Sequence, residues 1–116
     1  MLEALLALLI LLSLGAAALA LSVAADGLVV MGVWIAAAGL AFGVPTGAVY
    51  HVALQRSLQR VGALPPRWWL RPTALHDRIP ANDRRRVLAW CGAGAAGFAV
   101  TVLGMIVTAV GAIRML

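Results

Sequence analysis

The sequence predicts an all-α, polytopic integral membrane protein with three transmembrane helices and one cytoplasmic interfacial loop. Hydrophobic residues make up 64% of the 116 residues and charged residues only 11%, whereas a soluble domain carries roughly 25% charged residues. The apolar residues fall into three long runs. Eight of the nine basic residues lie between the second and third runs, in residues 51–86. We therefore expect a single membrane domain over residues 1–116.

The first apolar run predicts a transmembrane helix over about residues 2–25. A helix of about 23 residues covers about 35 Å, which is enough for a hydrocarbon core of ~30 Å. The residues Val23-Ala24-Ala25 resemble the cleavage site of a signal peptide, but no Lys or Arg precedes the run. We expect the segment to be retained as a helix.

The second apolar run predicts a transmembrane helix over about residues 28–50. Asp26-Gly27 is the predicted break before it, and so short a connection implies an antiparallel hairpin with the first helix. Pro45 should kink the helix near its inner end. Beyond residue 50 an apolar stripe alternates with Gln and Arg at helical spacing, which predicts an amphipathic extension to about residue 62.

The polar loop, about residues 51–86, is expected to lie against the headgroups, because Trp rings settle at the boundary between membrane and water. Its Arg-Trp-Trp segment should lie flat there. The third transmembrane helix is expected over about residues 87–113, with Asn82 or Asp83 as its cap.

The concentration of Arg in the loop indicates a cytoplasmic loop, which places the N-terminus inside and the C-terminus on the periplasmic or extracellular side. Arg114 alone opposes this orientation. The chain contains no Lys and is rich in Ala, Leu and Gly, a composition typical of GC-rich bacterial genomes. We expect a multi-pass protein of the bacterial inner (plasma) membrane.

Small residues recur at helical spacing on the second and third helices. Transmembrane helices associate largely through close backbone approach at such residues. The spacing leaves open whether these faces pack within the chain or between chains. Two stripes of small residues are more than one helix–helix contact within the chain needs, which favours association with other chains. The candidate packing residues are Gly39, Gly43, Gly47, Gly97, Thr101, Gly104, Thr108 and Gly111.

Basic and aromatic residues form a second candidate set, in and beside the loop. Arg can bind anionic lipid headgroups or the acidic face of a partner, and each basic residue near such a surface contributes about 1 kcal/mol. The same residues also orient the protein in the membrane and anchor the loop at the headgroups. The set comprises Arg56, Arg60, Arg67, Trp68, Trp69, Arg71, Arg84, Arg85 and Arg86, with Trp90 beside them.

A third candidate set is His51, His76 and Asp77, with Tyr50 beside them. These residue types can hold a metal or haem, or act as an acid–base pair. Three ligands are few for a closed metal site, and no HExxH spacing occurs. We interpret them as interfacial hydrogen-bonding residues, and expect no metal, no cofactor and no catalytic residue. The single cysteine excludes an internal disulfide.

No ionisable residue falls near the middle of a predicted helix, which counts against ion pumps and proton relays. We expect a small, non-catalytic accessory or structural subunit of a larger bacterial inner-membrane complex. Its partners would be other membrane subunits, in a hetero-complex rather than a homo-oligomer, and anionic lipids, but not nucleic acid. One alternative is a homo-oligomeric pore or small transporter lined by Thr101 and Thr108. Another is a membrane redox or enzyme subunit that uses His51, His76 and Asp77.

Overall fold

The structure, a computed structural model, describes residues 2–116, apart from the side chain of Ala20. Its elements in chain order are α1 (Leu2–Ser22), α2 (Ala25–Arg60), the short 3-10 helices η1 (Trp68–Leu70) and η2 (Pro72–Arg78), and α3 (Ala81–Arg114). None of the residues from 2 to 116 lies in a β-strand. The predicted all-α class is confirmed.

All three α-helices are long and apolar enough to cross a membrane. At a rise of ~1.5 Å per residue, the 36 residues of α2 and the 34 residues of α3 extend about 54 and 51 Å. The hydrocarbon core is only ~30 Å thick. Each of these two helices therefore exceeds the core by about 20 Å, and α2 continues through Pro45 without ending.

The connection between α1 and α2 lies at Val23-Ala24, not at Asp26-Gly27. The amide of Leu28 already donates to the carbonyl of Ala24, at 3.0 Å. Asp26 lies in the first turn of α2, where a carboxylate is stabilised by the positive end of the helix dipole. The predicted position of the break was wrong because Asp-Gly is typical both of a turn and of a helix start.

The chain divides into two compact units, which we describe separately: unit 1, Met1–Ala36 with Val102–Leu116, and unit 2, Ala37–Thr101. In unit 2 the small residues of α2 and α3 face each other. A Cβ atom built on Gly43 would lie 3.1 Å from the carbonyl carbon of Gly97, and one on Gly94 would lie 3.3 Å from Cα of Gly47. Such distances leave almost no room for side chains, so the two backbones are in direct contact.

Thr101 belongs to the same contact between α2 and α3 in unit 2. A Cβ atom on Gly39 would lie 2.5 Å from the amide nitrogen of Thr101, too close for any side chain at Gly39. The Thr101 hydroxyl donates to the carbonyl of Gly97 at 2.9 Å. The side chain is thus turned back onto its own helix, and the neighbouring backbone passes directly over it.

Unit 1 repeats the arrangement with other residues. A Cβ atom on Gly32 would overlap Thr108, and one on Gly104 would overlap the backbone of Ala36. A Cβ atom on Gly111 would lie 2.8 Å from the amide nitrogen of Val29. In each unit, then, the small-residue faces of α2 and α3 contact each other within this chain. We had inferred that two stripes of small residues are more than one contact within the chain needs. That inference was wrong, because the two stripes contact each other.

The loop forms a small apolar core in unit 2, where side chains of η2 and of the residue after it fold onto α2 and α3. The core residues are Tyr50, Leu54, Leu58, Leu75, Ile79 and Val87. The second half of the loop is thus more than a flat layer, because Leu75 and Ile79 are buried against the two helices.

Helix ends fix the two limits of this loop. α2 ends at Arg60 in a Schellman motif, in which Gly62 has a positive φ of 67° and the amide of Ala63 donates to the carbonyl of Leu58 at 3.0 Å. α3 begins at Ala81, and the amides of Asp83 and Arg84 both donate to the carbonyl of Pro80, each at 3.0 Å. The expected cap at Asn82 or Asp83 was therefore wrong, since the helix starts earlier.

Candidate functional site

The polar centre of unit 2 is the carboxylate of Asp83, which is buried to 8% exposure in the first turn of α3. The hydroxyl of Ser57 donates to its Oδ2 at 3.0 Å. The Arg60 guanidinium donates to the same oxygen at 3.3 Å. The Arg86 guanidinium lies 3.7 Å from Oδ1. One carboxylate therefore joins the end of α2 to the start of α3.

Each group in this network has a physical reason for its place. Ser57 is fully buried, and a buried hydroxyl without a partner costs about 1–3 kcal/mol. Asp83 supplies the acceptor, and its own charge is stabilised by two guanidinium groups and by the N-terminal dipole of α3. Both guanidinium side chains are 57% exposed, so water screens their ion pairs. The Ser57 contact, in contrast, is shielded from water.

A cleft of about 460 Å³ opens beside this network. Two of its basic residues, Arg60 and Arg86, are held by Asp83. Among the described residues Arg56, the third, has no salt bridge. Apolar side chains form the rest of the wall. The lining residues are Ala48, Val49, Val52, Ala53, Arg56, Arg60, Arg86 and Trp90.

A cluster of rings lies around Tyr50. Its hydroxyl and Nε2 of His76 form a hydrogen bond of 2.6 Å. Nδ1 of His51 donates to the carbonyl of Gly47 at 2.8 Å. The His51 ring also packs against Trp68, with centroids 5.9 Å apart. The structure therefore brings His51 and His76 to the same tyrosine, where both serve to fix the loop on α2.

Asp77 does not join this cluster. It is exposed, and the hydrogen bonds of His51 and His76 go to other groups. Over residues 2–116, no three His, Cys, Asp or Glu side chains lie close enough together to hold a metal ion. His51, His76 and Asp77 therefore form no metal-ligand set in this part of the chain.

The remaining basic and aromatic candidates are spread over the loop. Arg67 has a left-handed backbone, with φ 57°, and its carbonyl accepts from the amide of Leu70 at 3.1 Å. The Arg84 side chain donates to the carbonyl of Ile79 at 3.4 Å. Trp68 and Trp69 stack edge to face, 6.4 Å between centroids. Arg71 and Arg85 are exposed.

The two threonines proposed to line a pore are turned inward. Thr101 is buried, and the hydroxyl of Thr108 donates to the carbonyl of Gly104 at 2.8 Å. Each hydroxyl is satisfied on its own helix and packs against a glycine of α2 in its own unit. Neither threonine offers a polar group to a pore between copies of the chain.

Arg114 has a structural contact that the sequence did not suggest. In unit 1 its guanidinium donates to the carbonyl of Val23 at 2.9 Å. That carbonyl follows the last residue of α1, where backbone acceptors lack helical partners and a cation is favoured. The charge that opposes the predicted orientation therefore stabilises a helix end.

The chain matches no family model, no curated protein and no solved structure. Function must therefore be argued from the geometry. Ser57 is the main residue that the sequence analysis missed. A signal was present, because Ser57 shares the helix face of Leu54 and Leu58, and a polar residue on a buried face requires a partner.

Proposed function

We propose that the protein is a small, non-catalytic subunit of a larger bacterial inner-membrane complex, and that α1 contacts the partner subunit. The observation that carries this proposal is the exposure of α1. None of the stretch Leu2–Leu19 is buried, whereas α2 and α3 contact each other backbone to backbone in both units. The glycine contacts join α2 and α3 directly, with no residue of α1 between them.

Exposure of apolar side chains is not itself unfavourable in lipid, so contact between α1 and a partner depends on packing. Helices in a bilayer are held together by close contact at small residues. On α1, Ala16 and Ala17 border a groove with residues of α2 and α3 in unit 1. A Cβ atom on Gly15, in contrast, would meet nothing within 4 Å. Gly15 therefore marks a place on α1 that this chain leaves uncovered.

A structural role is also supported by the polar groups. In the described part of the chain, every buried side-chain nitrogen or oxygen has a hydrogen-bond partner. Ser57 and Asp83 join α2 to α3, and the Thr101 hydroxyl is satisfied on its own helix.

The orientation belongs to the same proposal. The eight Arg of residues 51–86 support a cytoplasmic loop, an inside N-terminus and an outside C-terminus. We favour a hetero-complex over a homo-oligomer joined through α2 and α3, because the small-residue faces of those helices are already filled within each copy.

The test compares two glycines that both face open space in this chain. We expect the wild-type protein, extracted in mild detergent, to co-purify with a second membrane protein at a fixed ratio, measured by native mass spectrometry. Gly15→Leu should abolish that complex without unfolding the chain, because Gly15 is exposed and a Cβ atom there meets nothing within 4 Å. Gly92→Leu, on α3, also adds its side chain to open space and should leave the complex intact.

A wild-type protein that is purely monomeric, with no companion in fixed ratio, contradicts the proposal. So does a Gly15→Leu protein that retains its companion as well as Gly92→Leu does. In that case α1 faces lipid only.

A further inference from the structure

The cleft of unit 2 has two chemically different ends. Ala48, Val49 and Val52 supply an apolar wall at one end, and arginines supply the other. Within residues 37–101, Arg56 is the first charged residue of α2, and Arg86 is the last charged residue of α3. Both helices therefore change from apolar to charged sequence at the cleft. A phospholipid has the same polarity gradient, from acyl chain to phosphate.

The charges of the cleft fit a headgroup with two negative charges. Three guanidinium groups line it, and the single carboxylate of Asp83 contacts two of them. The local balance is thus two positive charges. Arg56 lies one turn of α2, about 6 Å, from Arg60. The positive charge is therefore distributed along the cleft, which suits two separate phosphates better than one.

The cleft is also of a suitable size and preorganised. Its volume of about 460 Å³ falls in the range of about 300–1,000 Å³ that is usual for ligand sites. Because Asp83 holds Arg60 and Arg86, less side-chain freedom is lost when an anion binds. Trp90 completes the wall, and its ring can lie at the headgroup level.

We propose that this cleft is a specific binding site for a phospholipid with two phosphates, of the cardiolipin type. The phosphates contact Arg56, Arg60 and Arg86, and acyl chain lies against Val49 and Val52. Basic pockets between transmembrane helices are suited to such headgroups. The site does not depend on the proposed partner subunit, because every residue in it belongs to unit 2 of one chain.

The test is a lipid titration of the full-length protein in mild detergent, in which native mass spectrometry counts the lipids bound. We expect one cardiolipin molecule to be retained in preference to phosphatidylglycerol, which has one phosphate, and to phosphatidylcholine, which has no net charge. Arg56→Gln should weaken cardiolipin binding about fivefold, the effect of one basic residue at an anionic surface. Arg56 is suited to this test because its removal leaves the Asp83 network intact.

Two controls separate the cleft from general surface charge. Arg85→Gln removes the same charge from an exposed residue that does not line the cleft, and should leave binding unchanged. Val52→Trp changes no charge but fills the apolar wall, and should weaken binding at least as much as Arg56→Gln.

Three results would overturn the proposal. Equal losses in Arg56→Gln and Arg85→Gln would show that only net charge matters. Unchanged binding in Val52→Trp would show that no acyl chain occupies the cleft. Equal retention of phosphatidylglycerol, or displacement of the lipid by inorganic phosphate, would show that two lipid-borne phosphates are not required.

Discussion

Replacement of Asp83 by Ala tests whether the loop is held on the helices by one buried carboxylate. The substitution removes the acceptor of the Ser57 hydroxyl, two guanidinium contacts and a negative charge in the first turn of α3. We expect the small core of the loop to open more often, while α2 and α3 keep their glycine contacts.

The magnitude follows from the three contributions. An unsatisfied Ser57 hydroxyl costs about 1–3 kcal/mol, and loss of the charge at the helix start about 0.3–1 kcal/mol. The two exposed guanidinium groups contribute about 0–1 kcal/mol. Together these give about 1.3–5 kcal/mol, which corresponds to roughly a 10- to 5,000-fold increase in the population of the open loop.

The single cysteine supplies the assay. Cys91 is half-buried and packs against the core of the loop, so a thiol-reactive maleimide should modify it faster when the core opens. The rate of modification in detergent, wild type against Asp83→Ala, reports the change in opening free energy. Asp77→Ala removes the same charge from an exposed position and should change the rate by less than about threefold.

A double-mutant cycle isolates the central contact. If the hydrogen bond from Ser57 to Asp83 is what closes the loop, the pair Ser57→Ala and Asp83→Ala should show a coupling of about 1–2 kcal/mol. A coupling near zero refutes the reasoning, as does Asp83→Ala behaving like Asp77→Ala. Either result would mean that water satisfies Ser57 and that apolar packing alone closes the loop.

Three further predictions concern packing and helix ends. Leu58→Ala, at a fully buried position, should destabilise the loop by about 2–5 kcal/mol in the maleimide assay, whereas Leu70→Ala, at an exposed one, should change it by less than about 0.5 kcal/mol. Gly97→Ala should lower resistance to SDS unfolding, because overpacking of about 1–3 kcal/mol exceeds the ~1 kcal/mol gain in helix propensity; Gly92→Ala, in open space, should raise it. Arg114→Gln should speed hydrogen exchange at the C-terminal end of α1 about two- to fivefold, through loss of a charge worth about 0.3–1 kcal/mol there.

The sequence was most informative about features that depend on neighbouring residues. The three helices follow from long apolar runs, and the end of α2 near Gly62 follows from a glycine that can adopt the positive φ of 67° seen there. The start of α2 was misplaced because Asp26-Gly27 has a second local meaning, as the first turn of a helix.

Long-range contacts could not be predicted in the same way. Ser57 and Asp83 are 26 residues apart, and their contact depends on how η2 folds between them. The glycine spacing likewise identified faces without identifying their partners. Gly97 faces Gly43 because both helices belong to one packed pair, whereas spacing alone is equally consistent with contact between chains.

The basic loop predicted a cytoplasmic orientation as well as contact with lipid or a partner. A cytoplasmic excess of Arg needs no defined structure to set the orientation. In the structure these arginines differ in the groups that their side chains contact. Arg60 and Arg86 are fixed by the buried Asp83, and Arg84 by a backbone carbonyl. Topogenic charge alone would not require a buried carboxylate, whose desolvation is unfavourable unless it is paired. The network therefore gives these arginines a defined geometry as well as a charge. That geometry places two guanidinium groups at the mouth of an apolar cleft, where α2 and α3 change from charged to apolar sequence.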